Sequence, residues 1–192
     1  MKIFLTVLII IFSLQPLTKA DDIGDFEIEG ISVNISALDF MSKNEIKNNI
    51  LPYFETKRNY YISNFANDLK IYDQVEIYLK SNDDKYQIKS IIAAIFYNDL
   101  DVCLDKKKNI VSDLDKIFLN VEKLSGSKKH ETDPTGNSIH YIDQYNLDYP
   151  NHIRVECTQF SNDMINSGLA QNSLNVVVMT KEINDWITSG YK

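Results

Sequence analysis

One stretch, NDLDVCLDKKKNIVSDLDKIFLNVEKL (residues 98–124), carries a sustained helical period, and short runs of two-residue period surround it. Cys103, Lys107, Ile110, Val111, Leu114, Ile117, Phe118 and Val121 recur at three- and four-residue steps, the stripe of a helix that buries one face. Asp99 and Asp101 stand at its start, where the helix dipole favours acids. The opposite face is Lys and Asp and reads as solvated surface. A long helix of this kind needs a broad apolar surface to cover its stripe, and the flanking runs supply one.

Those runs read as strands. NYYISNF is the first. QVEIYLK alternates Val75, Ile77 and Leu79 with Glu76 and Lys80, the pattern of a half-buried strand. SNDDK has hairpin-turn composition, and YQIKSIIAAIFY reads as a central strand covered on both faces. After the helix, SGSKKHETDPTGNS is loop-rich, with Asp133-Pro134-Thr135-Gly136 as a turn signal. IHYIDQYNL puts His140, Ile142 and Gln144 opposite Ile139, Tyr141, Asp143 and Tyr145. IRVECTQF puts Ile153, Val155 and Cys157 opposite Arg154, Glu156 and Thr158. SLNVVVMT is a buried strand, and KEINDWITSGYK a short helix capped by Thr180, with Ile183, Trp186 and Ile187 inward. Nearer the start, DFEIEG alternates as a strand. Ser36 with Asp39 and Ser42 with Glu45 are capping boxes that predict a helical turn and then a helix over about 43–51, stopped by Pro52. The expected class is α+β, an antiparallel sheet with packed helices. Its element order allows two helix-plus-three-strand halves, 21–98 and 99–192, within one domain over 21–192.

The first twenty residues have a different character. Lys2 precedes a run from Ile3 to Leu14 interrupted only by Thr6 and Ser13. That is too short to span a bilayer, which takes roughly 20 apolar residues, and suits the core of a signal peptide. Pro16 and then Thr18-Lys19-Ala20 predict cleavage after Ala20, and Asp21, Asp22, Asp25, Glu27 and Glu29 make an acidic mature start. Loss of Lys2 and Lys19 takes the formal charge from −7 to −9. An acidic surface disfavours nucleic acid and anionic lipid, which need Lys/Arg patches. The expected address is periplasmic or secreted, with no stable membrane insertion after cleavage. Two Cys in an exported chain predict one disulfide, Cys103–Cys157.

Catalytic signatures are sparse. A Cys–His pair from Cys157 with His140 or His152 needs a free, exposed thiol, which an inward strand position and a second Cys argue against. His130, His140 and His152 lack metal-ligand spacing. Asp21, Asp22 and Asp25, or Asn82, Asp83 and Asp84, offer oxygens for calcium, but the second set lacks the Gly and terminal Glu of an EF-hand, and turn chemistry accounts for it. There is no G-x-S-x-G and no glycine-rich phosphate loop. Tyr60-Tyr61 and the tyrosines from Tyr141 to Tyr149 are strand positions that could also present a binding face. Asn34-Ile35-Ser36 is a sequon with meaning only in a eukaryotic secretory pathway. No catalytic, cofactor or metal residue is assigned.

The region from Asp21 to about Ile50 resembles the mature start of an uncharacterised family of small exported bacterial proteins. The residues that carry the likeness are Asp25, Phe26, Ile28, Glu29, Gly30, Ile31 and Ser32, then Leu38, Asp39, Phe40, Ser42, Glu45 and Ile46; YNDLDVC and IRVEC look similar too. Asn34 stands where many relatives have Gly, which argues against a tight turn there. The resemblance implies bacterial origin and a periplasmic address, and it brings no activity, cofactor or site. Element order alone gives a looser similarity to periplasmic helix-plus-sheet adaptor domains.

Three readings of function follow. The leading one is a non-catalytic module that binds an envelope protein or other envelope component. The second is a hydrolase of envelope or polymer substrates, which requires two or more of His140, His152, Asp143, Glu156 and Arg154 to converge in a pocket. The third is a carrier with a small ligand in a Tyr-lined cavity between helix and sheet.

Overall fold

The computed structural model describes residues 23–51, 59–65, 68–148, 150–168 and 170–190. The predicted signal peptide, Asp21, Asp22, Pro52 and Tyr149 lie outside them. Seven strands form one antiparallel sheet: β1 (Tyr60–Asn64), β2 (Gln74–Lys80), β3 (Ile88–Phe96), β4 (Glu122–Lys129), β5 (Ile139–Asp148), β6 (Asn151–Gln159) and β7 (Ser173–Met179). Their order is β1-β2-β3-β7-β6-β5-β4. The helices are α1 (Lys43–Asn48), α2 (Leu100–Ile117), α3 (Asn162–Asn166) and α4 (Lys181–Thr188). The class is α+β, as the sequence predicts.

The order explains why one long helix is needed. The chain leaves β3 in the middle of the sheet and must reach β4 at the far edge, four strand spacings away, or roughly 19 Å. The 18 residues of α2 span roughly 27 Å, enough to cross β7, β6 and β5 obliquely. The chain then returns strand by strand, and β7 pairs with β3 from Ser90↔Met179 to Phe96↔Ser173. The two halves read from element order therefore share one continuous sheet.

Several local expectations are corrected. The stretch 122–129, read as the end of the long helix running into a loop, is the edge strand β4, and α2 stops at Ile117 with Phe118 as its cap. Tertiary pairing with β5 along all eight residues outweighs a sequence that has no apolar alternation. DFEIEG is a tight turn and no strand: Glu29 (φ 53) and Gly30 (φ 79) both lie in the left-handed region, closing an Ile28–Ile31 bridge, as two-residue hairpin turns require. Asn34 (φ 69) does make a turn, since Asn tolerates this conformation better than other side chains. Thr180 precedes α4 but does not cap it with its side chain; its hydroxyl donates to the Lys89 carbonyl at 2.7 Å. The capping box of Ser42 and Glu45 is present in full. Ser36 caps a short 3-10 turn at Ala37–Asp39 by accepting from the Leu38 N–H.

One face of the sheet is sealed. Val75, Ile77, Leu79, Ile88, Ile91, Ala93, Ile153, Val155, Leu174, Val176 and Val178 are buried there under α2 and the segment 23–51. Several ties fix α2 to the strands. Cys103 and Cys157 are disulfide-bonded. Lys107 pairs with Asp143, both nearly buried, which explains a lysine in the apolar stripe. The Tyr145 hydroxyl donates to Asp115 (2.7 Å) and to the Val111 carbonyl (3.1 Å).

Candidate functional site

Among the described residues the other face is covered at one end, by α4. There α4 lays Ile183 and Trp186 over Tyr60, Ile62, Tyr78, Val177 and Met179. Glu182 anchors it: its carboxylate accepts from the Tyr60 hydroxyl and from Lys80 (2.9 Å), and Lys89 lies 3.3 Å away. Burial opposes its ionisation, but Tyr60 and the two lysines prevail and hold the carboxyl down at about 2.

Beyond α4 the strands present polar side chains in cross-strand rows. Pairing places Ala94, Asn175, Glu156 and Ile142 in one row, Ile92, Val177, Arg154 and Gln144 in a second, and Ser173, Thr158 and His140 in a third. Directly opposed residues on one face sit about 4.5–5.5 Å apart at Cβ, so half-buried Asn175, Arg154, Gln144 and His140 lie close together around buried Glu156, with Ala94, Ile92 and Ile142 between them. Arg154 Nε lies 3.0 Å from Glu156 Oε2, an ion pair by distance whose N–H is aimed too obliquely for a hydrogen bond. His140 Nδ1 lies 2.9 Å from Thr158 Oγ1 and 4.0 Å from Glu156 Oε2. Burial lowers the affinity of His140 for a proton; Glu156 pulls the other way, and His130, Lys128 and Arg154 add to the lowering. The ring stacks on His130, centroids 4.8 Å apart, and His130 meets Phe160 at 5.1 Å. Toward β2 the surface dips into a depression of about 250 Å³ lined by Gln74, Glu76, Ile92, Ala94, Phe96, Ser173 and Asn175. Burial raises the Glu76 carboxyl above its ordinary range, with Gln74 pulling back.

The structure thus unites three of the five residues required by the hydrolase reading, His140, Arg154 and Glu156. The other two lie elsewhere. Asp143 points to the sealed face and is engaged by Lys107 and Ser125. His152 shares the open side but is buried, its Nδ1–H donating to the Pro150 carbonyl at 3.1 Å; burial lowers its proton affinity. Thr158, whose hydroxyl meets His140, is only 3% exposed. A nucleophile at that depth is out of reach of a polymer substrate. Asn175, Gln144 and Glu76 are surface residues that sequence reasoning missed; parity puts each on a face, but only the strand order brings them together.

Elsewhere the expectations resolve simply. Asp83 accepts from the Lys85 and Gln87 N–H groups, both at 3.0 Å, so the Asn82–Asp84 set is a turn. A depression of about 410 Å³ beside it, between Lys47, Tyr61, Lys80 and Tyr86, therefore holds an aspartate already committed to backbone. Asp133 accepts from Ser138 and Thr135, and these bonds, Ser138's first, hold its carboxyl far below the ordinary range against a smaller desolvation effect. Tyr145 is buried against α2 and Tyr60 against Trp186 (5.1 Å), so these tyrosines build core and no binding face. Among the described residues no group of three His, Cys, Asp or Glu is placed to hold a metal ion, and no helix is long and apolar enough to cross a membrane. No family model matches the chain, and no curated protein or solved structure is found similar to it.

Proposed function

We propose that the protein is an exported, periplasmic, non-catalytic binding module that recognises an envelope component through the open face of its sheet. The observation that carries this reading is the half-buried polar group of His140, Gln144, Arg154 and Asn175, gathered around buried Glu156, on strands whose opposite face is locked by α2 and a disulfide. A surface built on strands is rigid, so its donors and acceptors are already placed and little ordering entropy is lost on binding. The export part is supported by the apolar run from Ile3 to Leu14, the cleavage signal ending at Ala20, the acidic start after it and the resemblance of the Asp21–Ile50 region. The disulfide is compatible with an oxidising compartment.

Native mass spectrometry of protein recovered from its own host tests both parts. The expected mass begins at Asp21 with both thiols blocked to alkylation. A photo-crosslinking residue at Gln144 is expected to trap a defined adduct, and one at the exposed Lys108 on α2 is not. An intact leader overturns the address. Adducts at neither position, or equally at both, overturn the assignment of the surface.

A hydrolase is the second reading, on the ground that His140, Arg154 and Glu156 lie together on the open side. It predicts a turnover that survives purification and is lost in His140→Ala. The carrier reading fares worse: where α2 begins, the space beside Cys103, Tyr97 and Thr158 is only about 10 Å³, room for one water at most.

A further inference from the structure

The two edges of the sheet are finished differently. The outer side of β1 is paired by residues 49–51: Leu51 N–H donates to the Ile62 carbonyl (2.9 Å) and Asn64 N–H to the Asn49 carbonyl (3.0 Å). Along β4 no described residue hydrogen-bonds to the outer side. The strand is unbulged over eight residues and exposed except at half-buried Lys123. Natural sheets blunt such edges with lysines, bulges or short strands. Here two of the three lysines turn away: Lys123 bonds Asp115 at 2.8 Å and lies over the Tyr145 ring, and Lys129 reaches toward Gly136. An open, unbulged edge of this length is a template for another strand.

We propose that β4 is the seam of a homodimer, with two copies joined edge to edge and antiparallel about a two-fold axis through Ser125. The strand's own chemistry selects the occupant and the register. In an antiparallel pair, opposed residues both turn their N–H and C=O toward the partner or both turn them away. A strand paired with its own copy therefore matches residues whose numbers sum to an even value. That excludes Glu122 against Lys129. Centring on Gly126 sets Lys123 against Lys129 and Leu124 against Lys128. Centring on Leu124 sets Glu122 against Gly126 and leaves Lys128 beyond the partner strand. Centring on Ser125 sets Glu122 against Lys128 twice and Leu124 against Gly126 twice, all on one face.

Each of these matches has structural support. Asn146 Nδ2 donates to Glu122 Oε2 at 2.8 Å, holding the acid in place. Leu124 is 51% exposed, an apolar side chain without cover. A Cβ at Gly126 would meet nothing within 4 Å, so the space that Leu124 of the second copy would fill is open. The contact is self-complementary, as a two-fold interface must be, and it would join two seven-stranded sheets into one with a doubled open face.

Sedimentation velocity over a concentration series reads the association directly. A monomer–dimer equilibrium is expected. Lys128→Glu sets acid against acid at two symmetric positions and is expected to weaken dimerisation about tenfold. Glu122→Lys combined with Lys128→Glu reverses both signs and is expected to restore it. Ser125→Cys under mild oxidation is expected to give a disulfide-linked dimer, whereas Leu124→Cys and Gly126→Cys are not. All five positions are exposed, and circular dichroism checks that the variants fold. A monomer at every concentration, a dimer indifferent to Lys128→Glu, or cross-linking at 124 or 126 in place of 125 would overturn the proposal.

Discussion

The same strands show two unlike faces. Along β6, Ile153, Val155 and Cys157 pack under α2, and Arg154, Glu156 and Thr158 one residue away line the open side. Backbone, twist and pairing are common to both, so the difference lies in side chains alone. The sealed face holds aliphatic groups, a disulfide and a helix; it is where folding free energy is stored. The open face holds hydrogen-bonding groups only partly satisfied by one another. Burying a polar group without a partner is costly, and a chain that invested only in stability would have little reason to keep such a surface half-covered beside α4. What the contrast teaches is a division of labour between successive residues of one strand.

The contrast breaks first where the sealed face is cross-linked. Cys103→Ser opens a loop of 54 residues, and the chain-entropy account puts the loss at about 4 kcal/mol. Denaturant unfolding without reductant should show that loss, and with reductant mutant and wild type should converge. Equal stability in both conditions would mean that α2 is held by packing alone. Next comes Ile153→Ala, which removes a fully buried side chain and should cost about 3 kcal/mol by the same assay. A cost under 1 kcal/mol would show that the sealed face can collapse around the cavity and is less tightly packed than its burial implies.

How much of this was readable in the sequence depends on range. β2 is legible at both ends because Val75, Ile77 and Leu79 alternate with polar residues in a single short run. α2 is legible from its stripe, including the anomalous Lys107, but not its end: Val121 continues the helical spacing, and only pairing with β5 turns residues 122–129 into a strand. EKLSGSKK has no apolar alternation because an edge strand needs none. DFEIEG misleads in the opposite way, since Phe26 and Ile28 alternate up to a turn that Glu29 and Gly30 make. Glu29 also accepts from the N–H groups of Lys70, Ile71 and Tyr72, a contact across forty residues that no local pattern announces. For the open face, parity alone unites Arg154, Glu156 and Thr158 and should have set Asp143 apart. The addition of His140 depends on the β5–β6 register, and Asn175 and Glu76 come from strands that only the β3–β7 pairing brings alongside.

A smaller effect probes the end of the second face that α4 covers. Glu182 has its folded pKa depressed to about 2, so its contribution is present above the ordinary carboxylate pKa of about 4.3 and is lost as pH falls toward 2. The site is part-exposed, and solvent screening leaves about 1 kcal/mol. Stability of the wild type should therefore decline between pH 4.5 and 2. In Glu182→Gln that part of the decline should be absent, with the lower stability already present at neutral pH. Parallel curves would show that the Tyr60, Lys80 and Lys89 contacts do not hold α4 to the sheet.

The smallest effect is the sharpest for the comparison. Gln144 is half-buried on the open face, and its amide donates to Asn146 Oδ1 at 2.8 Å. Gln144→Ala removes one side-chain hydrogen bond next to solvent, where water replaces the lost partner, so its stability cost should stay below about 0.5 kcal/mol. Set against Ile153→Ala, which lies on the adjoining strand but faces the other way, the expected ratio is at least several-fold. The pair separates burial from position in the sheet, because β5 and β6 are neighbours and share the same pairing. If Gln144→Ala proved as costly as Ile153→Ala, the open face would be part of the folding core, its polar rows would be structural networks, and the division between the two faces would fail.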